Sequence, residues 1–181
     1  MEKSVGKVMF FGTHERFGVE CSIYARTGSG TVLATMCLWA GGHRLGDHEQ
    51  GMVLYTASSF FDCFLTMPTP RQLPGQDTKS DAELLDDTKT LLWGDGLLPL
   101  DVYTALTPIY EACVLCPGAG STFDGELAVL LEYEQQARFV WREYPTRIIR
   151  HVALERGECQ AILQEFVTWA QGAFTIEKAG L

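Results

Sequence analysis

Positive charge is scarce in this sequence: 14 Lys and Arg stand against 23 Asp and Glu, for a formal net charge of −9 over 181 residues. A surface of that sign repels phosphate backbones and anionic headgroups, so nucleic acid and membranes are excluded as partners and a basic protein is favoured. Long apolar runs are missing as well. No stretch approaches the roughly 18 residues of a membrane span. The apolar run Val8 to Phe11 falls short of the roughly 7 to 15 residues of a secretory core segment. The expectation is a cytoplasmic protein with reduced thiols and no cofactor. Phosphate cradles of the Gly-x-x-x-x-Gly-Lys-Ser/Thr and Gly-x-Gly-x-x-Gly types are absent, as are Gly-x-Ser-x-Gly and His-Glu-x-x-His. His14-Glu15 and His48-Glu49 begin the last pattern without its second histidine. No catalytic motif speaks for an enzyme.

What is there is a globular composition, 46% hydrophobic and 20% charged, far from the skew of disordered or fibrous chains. Six cysteines are present, of which Cys21, Cys37 and Cys63 sit inside apolar patterns and are expected as free, buried thiols. Cys113-Val-Leu-Cys116 has redox or zinc spacing, but no second ligand pair follows, and Pro117-Gly118 does not open a helix. The pair reads as two cysteines near the end of a strand. His43, Asp47 and His48 form the densest group of metal-ligand types, yet Gly41, Gly42 and Gly46 make this a polar turn.

Phe17, Val19, Cys21 and Ile23 alternate with more polar neighbours, the period of a half-buried strand. The loop Arg26 to Gly30 joins it to a second strand, Thr31 to Trp39, apolar on both faces and therefore central. From Gly51 to Leu65 the period becomes helical, with Val53, Ala57, Phe60 and Phe64 on one face. Residues 68–79 form a proline-bearing loop. Ser80-Asp-Ala-Glu83 has capping-box spacing and opens a second helix carrying Leu84, Leu85, Leu91 and Leu92, closed by Gly94 and Gly96. Asp101 is a candidate cap for one short helical turn ending at Pro108, and Ile109 to Leu115 reads as a strand. Further strands follow around Leu127 to Tyr133, Phe139 to Trp141 and Arg147 to Leu154, the last with Ile148, Val152 and Leu154 inward. A terminal helix then buries Ala161, Ile162, Phe166, Val167 and Ala170. Short connections imply antiparallel pairing. The class is α+β: one domain over 1–181, mainly antiparallel sheet with two central helices and a C-terminal helix.

The strongest charge feature runs from Asp77 through Asp81, Glu83, Asp86 and Asp87 to Asp95, diluted by Lys79 and Lys89. Such a run is a solvated helix face or a docking face for a cationic partner. In the second case Trp93 and Leu97 are the candidate apolar anchors.

Three segments carry a resemblance when read in order. Phe10-Phe-Gly-Thr-His-Glu-Arg-Phe17-Gly-Val-Glu20 is a glycine turn leading into a strand. Leu38-Trp39-Ala-Gly-Gly-His-Arg-Leu45-Gly46-Asp47 is a tryptophan-bearing strand, a tight turn and a Gly-Asp exit. Phe123-Asp124-Gly125, then Leu130-Leu-Glu132 and Phe139-Val-Trp141, is a late hairpin with a helix behind it. The set resembles the bacterial immunity proteins of polymorphic toxin systems, in the family catalogued as immunity protein forty-two. Residues 68–108 lie outside the likeness, and Gly41 stands where the pattern carries Asn. The resemblance implies a non-enzymatic cytoplasmic protein, made beside a toxin gene, that binds and neutralises the cognate toxin domain. It also implies that Trp39, Gly46, Asp47, Phe123, Asp124, Gly125 and Trp141 shape the fold. Toxin contact is then expected at Asp81, Glu83, Asp86, Asp87, Trp93, Asp95 and Leu97, or at the loop Ala25 to Gly30. Two other readings remain: a Cys/His-dependent enzyme, and a small-ligand domain whose pocket is lined by Trp39, Trp93 and Trp141.

Overall fold

The computed structural model describes residues 7–94, 98–116, 121–123 and 125–175. Asp95, Leu97 and Asp124, and the expected helix stop at Gly96, lie outside them. In chain order the first elements are β1 (Val8–Gly12), β2 (Phe17–Arg26), β3 (Val32–Ala40), β4 (His43–Leu45), β5 (Gly51–Val53) and α1 (Leu54–Thr66). Then come α2 (Asp81–Trp93), α3 (Leu100–Cys113), a single 3₁₀ turn (Ser121–Phe123), β6 (Leu127–Glu132), β7 (Gln136–Arg142), β8 (Ile149–Glu155) and α4 (Glu158–Thr175). All strand pairs are antiparallel, in two sheets. The class is α+β.

The described residues fall into two compact units, each built from separated stretches of chain. The first takes its residues from Met1–Thr66, Pro117–Asp124 and Gly157–Leu181. Its sheet runs β1-β2-β3-β4, with β5 also on β3, so β3 is the central strand its two-sided apolarity predicts. Val19 and Cys21 of β2 face Leu38 and Met36 of β3, and all four are buried. Helices α1 and α4 pack against each other and on these strands. Phe166 of α4 meets Phe61 of α1 and Phe11 of β1 edge-on, both at 5.7 Å. Burying one such ring contributes about 1.5–3 kcal/mol. The guanidinium of Arg26 donates to the Ala173 carbonyl at 3.0 Å, tying β2 to the last turns of α4.

The helical stripes differ in detail from the predicted ones. In α1 the buried positions are Leu54, Ala57, Ser58, Phe61 and Phe64, which leaves Cys63 exposed and not in the core. In α4 the stripe includes Cys159 and Leu163, while Ala161 is on the solvent side. Both cases have one cause: the 100° step of the helix carries a residue off the buried arc even when its neighbours are apolar.

The second unit takes its residues from Met67–Cys116 and Gly125–Arg156. Its sheet is β6-β7-β8. One core joins Leu84, Leu85 and Leu91 of α2, Tyr110 and Cys113 of α3, Leu127, Val129 and Leu131 of β6, and Val140 of β7. On β8 only Leu154 of the expected inward set is buried, and Ile148, ahead of the strand, is 46% exposed.

The predicted strand Ile109 to Leu115 is helical up to Cys113, and Pro108 lies inside the helix instead of ending it. Its apolar residues explain the difference. Leu106, Ile109, Tyr110 and Cys113 recur at helical spacing and all join the core, enough to outweigh the about 3 kcal/mol that an internal proline costs. Of the strand there remains one bridge, Val114 to Val129, with the Leu115 amide donating to the Ala128 carbonyl at 2.9 Å. Cys113 thus closes a helix.

Candidate functional site

The acidic run is organised by α2. Ser80 is its N-cap: the Glu83 amide donates to Ser80 Oγ at 3.3 Å and the Ser80 amide to Glu83 Oε2 at 2.8 Å, the box expected from the sequence. The hydrogen bonds from the Ser80 hydroxyl and amide hold the Glu83 carboxyl below its usual range.

Most of the other carboxylates have cationic partners within the same unit. Asp81 lies 2.6 Å from His151 Nδ1 on β8 and 3.3 Å from Arg138 on β7. Asp86 is 2.7 Å from Arg142 on β7, and Asp87 is 2.6 Å from Lys79. Arg138 and Arg142 are four apart on one strand and so share a sheet face. Part of the predicted docking charge therefore fastens α2 to the sheet. What faces solvent on α2 is Glu83, Asp86, Lys89, Thr90 and Trp93, with the Asp86 side chain 64% and Trp93 61% exposed.

A cavity of about 250 Å³ opens beside the N-terminal end of α2, lined by Asp77, Tyr133, Arg138 and His151 among others. The Arg138 guanidinium lies over the Tyr133 ring at 5.6 Å, and Tyr133 Oη and Arg138 both donate to the Gln76 carbonyl. Burial is the main cause that pushes the Tyr133 phenol up. In the first unit a second cavity, about 200 Å³, is lined by Glu20, Cys37 and His48 among others. Trp39, Trp93 and Trp141 line neither cavity. Trp141 is buried and stacked on Phe139 at 5.5 Å.

The thiols offer little to a nucleophilic mechanism. Burial raises Cys21, Cys37 and Cys113 to about 12, and Cys116 higher still, which withholds the reactive thiolate. Among the described residues no three His, Cys, Asp or Glu side chains are grouped to hold a metal ion. Asp47 instead accepts from the Glu49 amide at 3.0 Å and from the Gln50 side chain at 3.1 Å.

A family model described as Immunity protein 42 matches residues 9–169. The chain belongs to that family. It is an immunity protein, a class of protein that neutralises a toxin. Among solved structures it is similar to CdiI from Burkholderia dolosa, with a TM-score of 0.64 and 17% identity over 88% of this chain and 99% of that one. At that identity the likeness is one of fold. No curated protein matches.

The described motif residues of this immunity protein have close neighbours. Gly46 has φ +89°, and a Cβ there would meet the Phe123 ring at 2.8 Å. Asp47 next to it donates its amide to the Thr122 carbonyl at 2.6 Å. Phe123 is buried. Gly125 has φ +82°, and a Cβ would strike the Tyr144 ring at 2.5 Å. Trp39 donates its indole N–H to Glu20 Oε2 at 2.8 Å and receives the His14 ring edge-on at 4.3 Å. Sequence reasoning missed Glu20 in this role, along with Arg138, Arg142 and His151. No local signal marks these residues, since their partners are far along the chain. The loop Ala25 to Gly30 is braced by Thr27, whose amide donates to the Thr31 carbonyl at 2.9 Å.

Proposed function

We propose that this immunity protein acts by stoichiometric binding, without catalysis, in the cytoplasm, and that its partner is a toxin domain with a basic surface. The observation that carries this reading is the exposed set Glu83, Asp86 and Trp93 on α2, with Lys89 the one exposed cation of that helix, on a chain of net charge −9. Complementary charge steers encounter and suppresses wrong partners, and an exposed aromatic supplies the anchor that charge alone does not. The fold shared with CdiI supports a toxin of contact-dependent inhibition. Asp81 belongs to the frame more than to the interface, because its charge is met by Arg138 and His151.

The test uses the toxin domain encoded beside the gene. Toxin activity titrated with this protein should reach zero at about one equivalent and stay bound, whereas loss of toxin at a small fraction of an equivalent would mean turnover. Asp86→Asn with Asp87→Asn removes charge without setting like charges beside Arg142 and Lys79. The association rate should fall several-fold and its salt dependence should flatten. An unchanged rate in the folded double variant would remove Asp86 and Asp87 from the interface.

A further inference from the structure

The large apolar side chains that remain exposed are unevenly spread. Among the described residues eleven are at least a third exposed, and five of them lie between residues 93 and 103: Trp93 (61%), Leu98 (40%), Leu100 (79%), Val102 (37%) and Tyr103 (38%). The stretch is a small part of the chain, so scatter does not account for the concentration. Helix α3 is divided along its length. Its second half enters the core through Tyr110, Ala112 and Cys113, while every residue from Leu100 to Ala105 is exposed. The exposed turns from Leu100 to Ala105 bury no side chain in this unit's core, yet they continue directly into the part of the helix that does. A preorganised helix bearing aromatic and aliphatic side chains loses little entropy on docking.

Resting on the reading of this chain as a toxin-binding immunity protein, we infer that the first half of α3, with Trp93 at the end of α2, is the anchor for the toxin domain, received in an apolar pocket with a basic rim. The rim chemistry follows from charge. Asp101 lies within the apolar stretch, Glu111 is exposed further along α3, and on α2, the helix that packs on α3, Glu83 and Asp86 are exposed against one exposed cation, Lys89. A second copy of this chain is a poor occupant, because a two-fold contact sets the same acidic face against itself. A basic-rimmed pocket satisfies both the apolar centre and the acidic border. The acids then set how fast the complex forms, and the α3 side chains set how long it lasts.

The experiment measures binding of full-length wild type and of Leu100→Ser with Tyr103→Ala to the immobilised toxin domain, with thermal midpoints and sedimentation alongside. Exposed positions are replaced, so the midpoint should stay within a few degrees. The dissociation constant should rise by roughly 100-fold, nearly all of it in the dissociation rate. A change under about threefold, with wild type binding tightly, overturns the anchor and leaves the binding function standing. Failure of wild type to bind the toxin at all overturns the function and the anchor with it. A wild-type dimer that the double variant dissolves assigns the surface to a second copy and overturns the proposed occupant.

Discussion

The carboxylates of α2 look alike in the sequence and are not alike in the fold. The Asp81 side chain is 17% exposed and faces the Arg138 guanidinium and the His151 ring, while the Asp86 side chain is 64% exposed and faces Arg142. Removing the first charge leaves the Arg138 guanidinium, 27% exposed, without its carboxylate. Removing the second takes away a carboxylate that is itself mostly in water. Asp81→Asn is therefore expected to cost about 1–2 kcal/mol and Asp86→Asn about 0.5 kcal/mol or less, read from urea unfolding midpoints. Equal effects would contradict this division of roles. Thiols separate in the same way. Of the six, Cys63 is exposed and the rest are buried, so a thiol reagent should modify Cys63 quickly in the native protein and the others only on unfolding. Fast reaction of a second thiol would show that one of the buried sites opens. The acids were legible in the sequence; their partners were not, because Arg138, Arg142 and His151 sit more than fifty residues away and only folding brings them near.

Elements were legible where local chemistry decides them. The Ser80–Glu83 box stands where spacing places it, and Ser80→Ala should cost about 1 kcal/mol through the lost cap. Its pH dependence has a definite sign. Glu83 is held below its usual value of 4.5 in the folded chain, so its contribution is present above that value and is lost as pH falls through the lower folded one. The advantage of wild type over Glu83→Gln should be constant from pH 7 to 5 and shrink below 4.5, followed by urea midpoints. A gap that widens on acidification would reverse the assignment. Where elements were misread, tertiary contact outweighed the local signal. Pro108 reads as a stop, and Ile109 to Leu115 is rich in strand-forming types. Yet the apolar face that Leu106, Ile109, Tyr110 and Cys113 make against β6 and α2 is a helical one. Strands β4 and β5, each of three residues, are too short to show any alternation.

At the scale of the whole molecule, the outline of early strands, helices, later strands and a last helix was readable, with α3 read as a strand, and so was the family likeness, because both follow the chain. The division of strands between two sheets was not, since a strand's choice of neighbour depends on residues elsewhere. The motif residues illustrate both sides. Gly46 and Gly125 mark turns on sight, but only the fold shows the Phe123 and Tyr144 rings that forbid a side chain at each. The exposed start of α3 was invisible for the opposite reason: an apolar helical stretch reads as core, and only coordinates show Leu100, Val102 and Tyr103 exposed.

The first unit begins with β1 and is closed by α4, which reaches it after the chain has passed through the second unit. A ribosome delivers those pieces in sequence, at about 5–20 residues per second. A nascent chain halted at Arg156 holds all five strands of its first sheet, but Phe11 and Phe61 lack the Phe166 ring that they flank in the finished protein. Half-made copies are thus without a completed first core, and the lag between the start of translation and protection is set by the full length of the message. A cell exposed to toxin depends on molecules finished beforehand.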